Sequence, residues 1–218
     1  MGCCATTTRV ESVFNDKLAA WDLRRYRKKG PRRSTRLLLE ALKAGGVERR
    51  TLLDIGGGIG VIQHELLDAG AASATNVEAS GPYLKVAKDE SQRRGQDGRV
   101  DFRHGDFVEL AAAIEPADVV TLDRVICCYP DMERLVGLSA ARARELYGVV
   151  YPRDTRLVRL GFAAVNLALR SLRKPMRTFV HSKHDVEALV QASGLTTHFS
   201  TRAGAWQVAL YRRKPAPR

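Results

Sequence analysis

The chain has 218 residues, of which 44% are hydrophobic and 28% are charged, which is enough to bury a full core, most simply as one domain. No apolar run approaches the roughly 20 residues of a membrane span, and no basic segment followed by an apolar one opens the chain. These features argue against a membrane-spanning or secreted protein, and we expect a cytoplasmic protein whose cysteines are reduced.

The net charge of +12 is unevenly distributed along the chain. Residues 1–50 carry 13 Lys and Arg against 5 Asp and Glu, residues 51–150 carry 10 against 16, and residues 151–218 carry 13 against 3. Two basic flanks therefore enclose an acidic central part. Such flanks can frame the mouth of a site and attract an anion, or they can be a solvated surface that keeps the protein soluble.

The first part of the chain contains two predicted helices. Residues 11–29 have helical periodicity and end in a basic run around Tyr26, just before a Gly-Pro helix stop. A second helix is predicted over about 34–43 and is closed by two glycines. Ahead of both, residues 1–6 match an N-myristoylation pattern. In a eukaryote this would be a membrane anchor, but the pattern is short and we favour a chance match in a bacterium.

Residues 51–61, TLLDIGGGIGV, are predicted to form a buried strand, a glycine-rich turn and the start of a helix. Asp54, Gly56, Gly58 and Gly60 give the pattern D-x-G-x-G-x-G. Glycine is needed where a turn takes positive φ and where a ligand presses against bare backbone, and the helix that follows directs free N–H groups at that ligand. The nicotinamide fingerprint does not fit the glycine spacing, and the Gly-Lys-Ser/Thr of a P-loop is missing.

Glu78 ends the next predicted strand and follows Gly58 by about 20 residues, a spacing typical of a carboxylate that binds ribose hydroxyls. The glycine pattern and Glu78 together resemble motif I of class I S-adenosylmethionine (SAM) methyltransferases. The resemblance implies SAM as cofactor and S-adenosylhomocysteine as product. It also implies a set of cofactor-binding residues: Asp54, Gly56, Gly58, Gly60 and Glu78. A generic Rossmann turn that binds another nucleotide, or none, is the alternative.

Strands and helices then alternate as in a parallel sheet. Helices are predicted over about 59–67, 83–94 and 108–113, and strands over about 74–78, 100–103 and 117–122. Asp106 and Phe107 follow the third strand, where the resemblance implies that the aspartate accepts from the adenine amino group and a backbone N–H faces the ring. A helix-capping aspartate is the alternative. Asp123 follows the fourth strand, beside the expected reactive methyl, and is also assigned to the cofactor site.

The last third of the chain predicts the remaining elements of the sheet. A helix is expected over about 131–145, strands over about 146–151, 179–181, 195–201 and 206–212, and a helix over 182–193. Residues 155–174 mix leucines with arginines and predict a long amphipathic helix. The expected fold is α/β: a Rossmann-like class I methyltransferase with a seven-stranded, mostly parallel sheet whose last strand is antiparallel. Residues 1–46 would be an N-terminal helical cap, residues 47–218 the SAM-binding domain, and residues 154–175 an inserted lid helix.

Three segments resemble those of one particular group of class I methyltransferases. The loop after the fourth strand, the sequence YPRDT after the fifth, and the inserted helix are similar to those of magnesium-protoporphyrin O-methyltransferases and their uncharacterised relatives. This implies the same fold, SAM site and lid. It does not extend to the acceptor, because those enzymes carry a His-Tyr pair where this chain has Cys127-Cys128. We interpret Cys127 as a small apolar wall and predict no metal site. The alternative is a thiol- or metalloid-reactive role that uses both this pair and the second adjacent pair, Cys3-Cys4.

Four residues are candidates for the acceptor side of the site, although each could be structural: Tyr26, Tyr129, Arg153 and His181. Arg153 follows the fifth strand directly, where it could grip a carboxylate. With the basic flanks and the apolar lid, this predicts O-methylation of a small, partly apolar, acidic molecule, and a carboxylate acceptor needs no general base. One alternative is an RNA methyltransferase, against which the low aromatic content of 6% argues. The other is a non-catalytic SAM-binding protein in peripheral contact with a membrane.

Overall fold

The computed structural model describes residues 10–214, so the pattern in residues 1–6 and the Cys3-Cys4 pair lie outside the described residues. The strands are β1 (Thr51–Ile55), β2 (Ser73–Glu78), β3 (Val100–His104), β4 (Ala117–Asp123), β5 (Ala143–Pro152), β6 (Leu195–Ala203) and β7 (Trp206–Arg213). The α-helices are α1 (Asp16–Lys29), α2 (Arg33–Ala44), α3 (Val61–Asp68), α4 (Gly81–Arg93), α5 (Phe107–Leu110), α6 (Met132–Ala141), α7 (Arg156–Ser171) and α8 (Lys183–Ala192).

The seven strands form one sheet in the order β3-β2-β1-β4-β5-β7-β6. Strands β1 to β5 pair in parallel, and β7 is antiparallel to both of its neighbours. The predicted fold class is therefore confirmed. The order of the strands reverses between β1 and β4, and ligands of open α/β sheets bind outside the carboxyl ends of the strands at such a switch point.

Helices cover both faces of the sheet because alternate side chains of each strand point to opposite sides. Leu53 and Ile55 of β1 enter a core that includes Leu135 of α6, whereas Leu52 enters a second core with Leu38 of α2. All of these side chains are at most 2% exposed. Full burial of such a side chain stabilises the fold by about 1.5–3 kcal/mol. The two cores hold the ends of β1 and β4 rigidly in place.

The two N-terminal helices pack against different parts of the fold. The Tyr83 hydroxyl of α4 donates to Asp22 of α1 at 2.7 Å. Helix α2 lies directly on the sheet, and a Cβ added to Gly148 of β5 would come within 2.8 Å of the Leu38 side chain. Glycine at this position therefore permits the close approach of α2. The division into a cap over residues 1–46 and a separate domain stays a prediction.

The predicted helix over 131–145 was too long. Helix α6 ends at Ala141, and β5 begins at Ala143 instead of residue 146. Ala143 pairs with Ala117 of β4, and the Arg142 side chain between helix and strand donates to the carbonyl of Ile114 at 2.9 Å. Pairing with β4 thus overrides a local sequence that is equally compatible with a helix.

Two other boundaries also differ from the predictions. Helix α1 begins at Asp16 rather than at residue 11, and its N-cap Asn15 accepts a bond from the backbone of Leu18. Residues 179–181 are not a strand. Phe179 donates a single backbone bond to the carbonyl of Cys127 at 2.7 Å, whereas a strand requires a continued ladder.

The inserted amphipathic helix is present as α7, and its N-cap Thr155 accepts a bond from the backbone of Val158. None of the residues of α7 is buried. Within residues 10–214 no helix combines the length and the apolar character needed to cross a membrane.

Candidate functional site: a cavity at the carboxyl ends of β1 and β4

The glycine turn after β1 has the backbone geometry that the sequence predicts. Gly56 and Gly58 have φ values of 61° and 58°, in the left-handed region that side chains disfavour. A Cβ on Gly56 would also lie 2.5 Å from the side chain of Val125. The turn ends at Gly60, the N-cap of α3, so the first backbone N–H groups of that helix follow the turn directly.

Buried polar side chains support the turn from below. Asn76 of β2 donates to Gln63 of α3 at 2.7 Å. A Cβ on Gly57 would lie 2.7 Å from the Asn76 amide, and one on Gly60 would lie 2.8 Å from the Gln63 amide. Gly60 therefore serves the packing of the turn onto α3, and it is not among the residues that line the cavity described below.

Glu78 at the end of β2 is bound to the glycine turn. One carboxylate oxygen accepts from the Gly58 N–H at 2.8 Å, and the other accepts from the Ser80 N–H at 2.8 Å. The side chain is buried, and this burial raises the pKa of its carboxyl group, although the backbone N–H groups favour the charged form and oppose the rise. Glu78 thus fixes the shape of the turn, in addition to any bond that it makes to a ligand.

Asp54 at the end of β1 is buried, and its two oxygens differ in their surroundings. One oxygen accepts from the Thr121 hydroxyl of β4 at 2.7 Å, whereas the other has no hydrogen-bond partner among residues 10–214. Burial raises the pKa of Asp54 to about 7, and the nearby Asp123 and Glu78 add to the rise while the Thr121 bond opposes it. A buried oxygen without a partner calls for an explanation, and Asp54 is one of the residues of the cavity described below.

A cavity of about 400 Å³ opens above these groups, within the usual range for sites of small molecules. Seven of the eight predicted cofactor residues line it: Asp54, Gly56, Gly58, Glu78, Asp106, Phe107 and Asp123. The size and the donors fit SAM. Bare backbone N–H groups could hold its amino acid part, and an acidic residue could hold its ribose. The apolar surface of Phe107 could hold its adenine.

Asp106 has two hydrogen-bond partners within the protein. Its carboxylate accepts from the Val108 N–H at 2.9 Å, which caps α5, and from the Tyr129 hydroxyl at 3.0 and 3.2 Å. Burial and Asp106 together raise the pKa of Tyr129 above its usual value. The capping role is therefore present, and contact with an adenine amino group stays a prediction.

The four candidates for the acceptor side do not come together. Tyr129 and Tyr26 line the cavity, but the Tyr26 hydroxyl donates to Glu65 at 2.9 Å and lies in a structural contact between α1 and α3. Arg153 and His181 are not among the lining residues. The Arg153 guanidinium donates to the carbonyl of Gly204 at 3.1 Å, in the turn between β6 and β7. Burial lowers the pKa of His181 below its usual value.

Three arginines that the sequence reasoning did not single out line the cavity instead: Arg25, Arg32 and Arg124. Burial lowers the pKa of Arg25, and the positive charges of Arg32 and Arg124 lower it further, whereas the negative charge of Asp22 opposes the shift. Acidic partners are also present, because Arg32 donates to Asp22 at 2.8 Å and Arg124 donates to Asp123 at 3.2 Å. The basic run in α1 was visible in the sequence, but it did not reveal which arginine points inward.

Arg124 owes its position to an unusual backbone. Its φ is 62°, which is uncommon for a residue with a side chain, and its N–H donates to the carbonyl of Val150 in β5 at 2.8 Å. Its guanidinium lies 5.7 Å from the ring centre of Trp206, which also lines the cavity. The lining of the cavity therefore combines the glycine turn and its carboxylates with guanidinium groups and an aromatic ring.

Comparisons with known proteins agree with this geometry. Residues 53–143 match the family model described as a methyltransferase domain. The ribosomal protein L11 methyltransferase of Edwardsiella ictaluri is 26% identical over 127 residues, which is 55% of this chain and 43% of that protein. The chain therefore spans less than half the length of this curated relative.

Solved structures show the same fold. Magnesium protoporphyrin IX methyltransferase from Synechocystis, with bound S-adenosylhomocysteine, has a TM-score of 0.66 at 17% identity. The superposition covers 83% of this chain and 81% of that protein's chain. An O-methyltransferase family protein from Burkholderia thailandensis has a TM-score of 0.69 at 17% identity, and the superposition covers 85% of this chain and 57% of that protein's chain. Residues 53–143 thus resemble a methyltransferase domain, and SAM is the cofactor that a domain of this kind implies.

Proposed function

We propose that the protein is a SAM-dependent methyltransferase whose acceptor is a small, partly apolar, acidic molecule, methylated on oxygen. The observation that carries the proposal is one cavity lined both by the glycine turn with Glu78 and by Arg25, Arg32 and Arg124. The glycine turn suits the cofactor, and the arginines suit an anionic group on the acceptor.

At the cofactor end, the residues of this chain would act by binding and orientation. When bound, SAM supplies a sulfonium methyl group that is already a good electrophile. Glu78 would accept from the ribose hydroxyls while keeping its bond to the Gly58 N–H, and the buried face of Phe107 would contact the adenine. The unpaired oxygen of Asp54 could accept a further bond from the cofactor or from an ordered water.

At the acceptor end, Arg124 is the best-supported residue for holding a carboxylate. It follows β4 directly, at the edge where the reactive methyl is expected, and a guanidinium can bind a carboxylate through two parallel bonds. The Trp206 ring beside it offers an apolar face for the rest of the acceptor. Arg124 takes the role that the sequence suggested for Arg153, since Arg153 is bound to the β6–β7 turn.

The reaction requires mainly that the protein align the acceptor with the methyl group. A carboxylate nucleophile carries no proton, so no general base is required. The rate gain would come from holding the acceptor in line with the methyl group and from excluding water in a partly buried site. Tyr129 would contribute as a wall of the cavity whose hydroxyl is already bound to Asp106.

A screen of anionic, neutral and cationic acceptors with labelled SAM tests the proposal. For an anionic acceptor, Arg124→Ala should raise KM by roughly 10- to 150-fold, the effect of losing a charged hydrogen bond of about 1.5–3 kcal/mol. Arg124→Lys should restore only part of the loss, because an ammonium lacks the planar fork. Arg153→Ala is the matched control and should leave KM within about twofold.

The outcomes of this screen separate the alternatives. Turnover only with neutral or cationic acceptors, or only with structured RNA, would contradict the acidic small molecule. An equal effect of Arg153→Ala and Arg124→Ala would contradict the assignment of Arg124. S-adenosylhomocysteine binding without turnover on any acceptor class would favour a non-catalytic SAM-binding protein.

A peripheral membrane contact is a second proposal, which a specific observation favours. Among residues 10–214, five of the six exposed large hydrophobic side chains belong to α7 or follow it directly: Leu157, Leu160, Val165, Leu167 and Leu172. The helix is held on its other side, where Phe162 packs edge-on against Trp206 at 6.4 Å and Asn166 bonds to Thr178. Helix α7 also contains arginines and no acidic residue, and this positive charge suits contact with an anionic lipid surface.

Vesicle sedimentation tests the membrane contact. The double variant Leu160→Ser/Leu167→Ser should abolish binding to vesicles that contain anionic phosphatidylglycerol. Trp21→Ser removes an exposed hydrophobic side chain elsewhere on the surface and should leave binding intact. Wild-type protein that fails to sediment with anionic vesicles would contradict the contact.

A further inference from the structure

The cavity contains two thiols that the proposed methyl transfer does not use. Cys127 and Cys128 are the last residues of a 3-10 turn, Ile126–Cys128, shortly after β4. Their sulfur atoms lie 3.6 Å apart, in van der Waals contact, and both residues line the cavity. Adjacent cysteines in an extended strand would point to opposite faces, so the turn is what brings the two sulfurs together.

Neighbouring elements hold the turn on both sides. The Cys128 N–H donates to the carbonyl of Val125 at 2.9 Å, and the Cys127 carbonyl accepts from the Phe179 N–H at 2.7 Å. The Cys127 thiol also lies 3.2 Å from the carbonyl of Arg124, which is an alternative acceptor for its single proton. Cys127 is buried and Cys128 is half-buried. The pair is therefore a fixed structure and not a chance approach of two mobile side chains.

The surroundings distinguish the two sulfurs. Hydrogen bonding from Cys127 lowers the pKa of Cys128, and the positive charge of Arg124 lowers it further, whereas burial opposes both effects. The same pairing with Cys128, together with burial, raises the pKa of Cys127. The pair thus combines a thiol whose thiolate form is favoured with a neighbour that can donate a proton, and thiolates are the reactive form of cysteine.

We propose that Cys127 and Cys128 form a dithiol site for trivalent arsenicals, bound through both sulfurs inside the cavity. A ligand of this class needs only two thiols. Zinc usually takes more ligands from the protein, and no cluster of three or more His, Cys, Asp or Glu suited to a metal ion occurs within residues 10–214. A single trivalent arsenic atom can bridge two sulfurs that already touch.

The reaction is a condensation without electron transfer. A dihydroxyarsine, the hydrated form of an arsine oxide, loses two As–O bonds and gains two S–As bonds. The two hydroxyl groups leave as water with the two thiol protons, so the atoms and charges balance and no oxidant is needed. The second bond forms within the complex, and such a linked second step typically strengthens binding by about 10²–10⁴-fold.

The test uses phenylarsine oxide as the probe and the full chain in a Cys3→Ala/Cys4→Ala background, because residues 3 and 4 form a second adjacent pair. Intact-mass spectrometry and competition by a small dithiol give stoichiometry and affinity. We expect one arsenical per chain, with loss of both thiols and two water molecules released. Cys127→Ser and Cys128→Ser, each nearly isosteric, should each weaken binding by at least about tenfold.

Several results would overturn the proposal. These are failure of the background protein to form a 1:1 adduct, equal affinity in either serine variant, and an adduct that requires Cys3 or Cys4. The test for a 1:1 adduct in the background protein uses no substitution at Cys127 or Cys128. It therefore remains decisive even if a serine substitution disturbs folding. S-adenosylhomocysteine and the arsenical share the cavity, and mutual protection would support the placement. None of these readouts depends on methyl transfer.

Discussion

Glu78 supports the glycine turn, and its substitution tests most directly whether it also binds the ribose of the cofactor. In the structure its carboxylate accepts from the N–H groups of Gly58 and Ser80, each at 2.8 Å. Glu78→Ala would leave two N–H groups without their acceptor and would remove the carboxylate predicted to bind the ribose. Glu78→Gln keeps one acceptor oxygen and a similar volume but removes the charge.

The magnitudes follow from these contacts. Each buried donor that loses its partner costs about 1–3 kcal/mol, so the loss of two partners in Glu78→Ala should lower the free energy of unfolding by roughly 2–6 kcal/mol, and Glu78→Gln by less. Loss of a charge-assisted bond to the ribose should weaken S-adenosylhomocysteine binding by about 1.5–3 kcal/mol, or roughly 10- to 150-fold, in both variants. Glu78→Gln therefore reports on binding with the smaller structural disturbance.

Isothermal calorimetry with S-adenosylhomocysteine measures the binding, and urea unfolding measures the stability. Asp101→Ala is a suitable control, because Asp101 is an exposed acid on the neighbouring strand β3 and does not line the cavity. If the wild type does not bind S-adenosylhomocysteine, or if Glu78→Ala binds it as tightly as the wild type, the cofactor assignment is wrong.

Three further predictions concern the buried carboxyl, the inserted helix and the surface charge. Because burial raises the pKa of Asp54 from 3.8 to about 7, the folded state keeps a proton that the unfolded chain releases, and stability is lost as the pH rises from about 4 to 7. The free energy of unfolding of Asp54→Asn should thus rise by up to about 4 kcal/mol relative to that of the wild type between pH 4 and pH 8. A difference in urea unfolding that does not change with pH would contradict this. Hydrogen exchange should be faster in residues 155–174 than in β1 and β4, and cofactor plus acceptor should slow it if α7 acts as a lid; core-like protection in the free protein would refute the lid. For an anionic acceptor, kcat/KM should fall as salt is raised through physiological strength, where charges are screened beyond about 8 Å, and a salt-independent value would argue against steering by the basic residues.

The sequence by itself determined the part of the cavity that is formed by the glycine turn and Glu78. The turn from Gly56 to Gly60 depends on local backbone conformations that glycine alone readily adopts, so its position could be predicted from residue types. Glu78 was found by its spacing from Gly58, because parallel strands of an α/β unit bring their carboxyl ends to one edge. The alternation of strands and helices, and the antiparallel β7, also followed from patterns within short segments.

The arginine-lined part of the cavity was decided by the tertiary structure. Arg124 points into the cavity because its backbone takes a left-handed conformation and bonds to β5, which no local pattern signalled. Arg25 and Arg32 join it only because α1 packs across α4, whereas Arg153 is held by the β6–β7 turn. Long side chains have many rotamers, and contacts between segments distant in sequence select among them. Chemistry that depends on backbone shape was therefore readable from the sequence, and chemistry that depends on where long side chains converge required the fold.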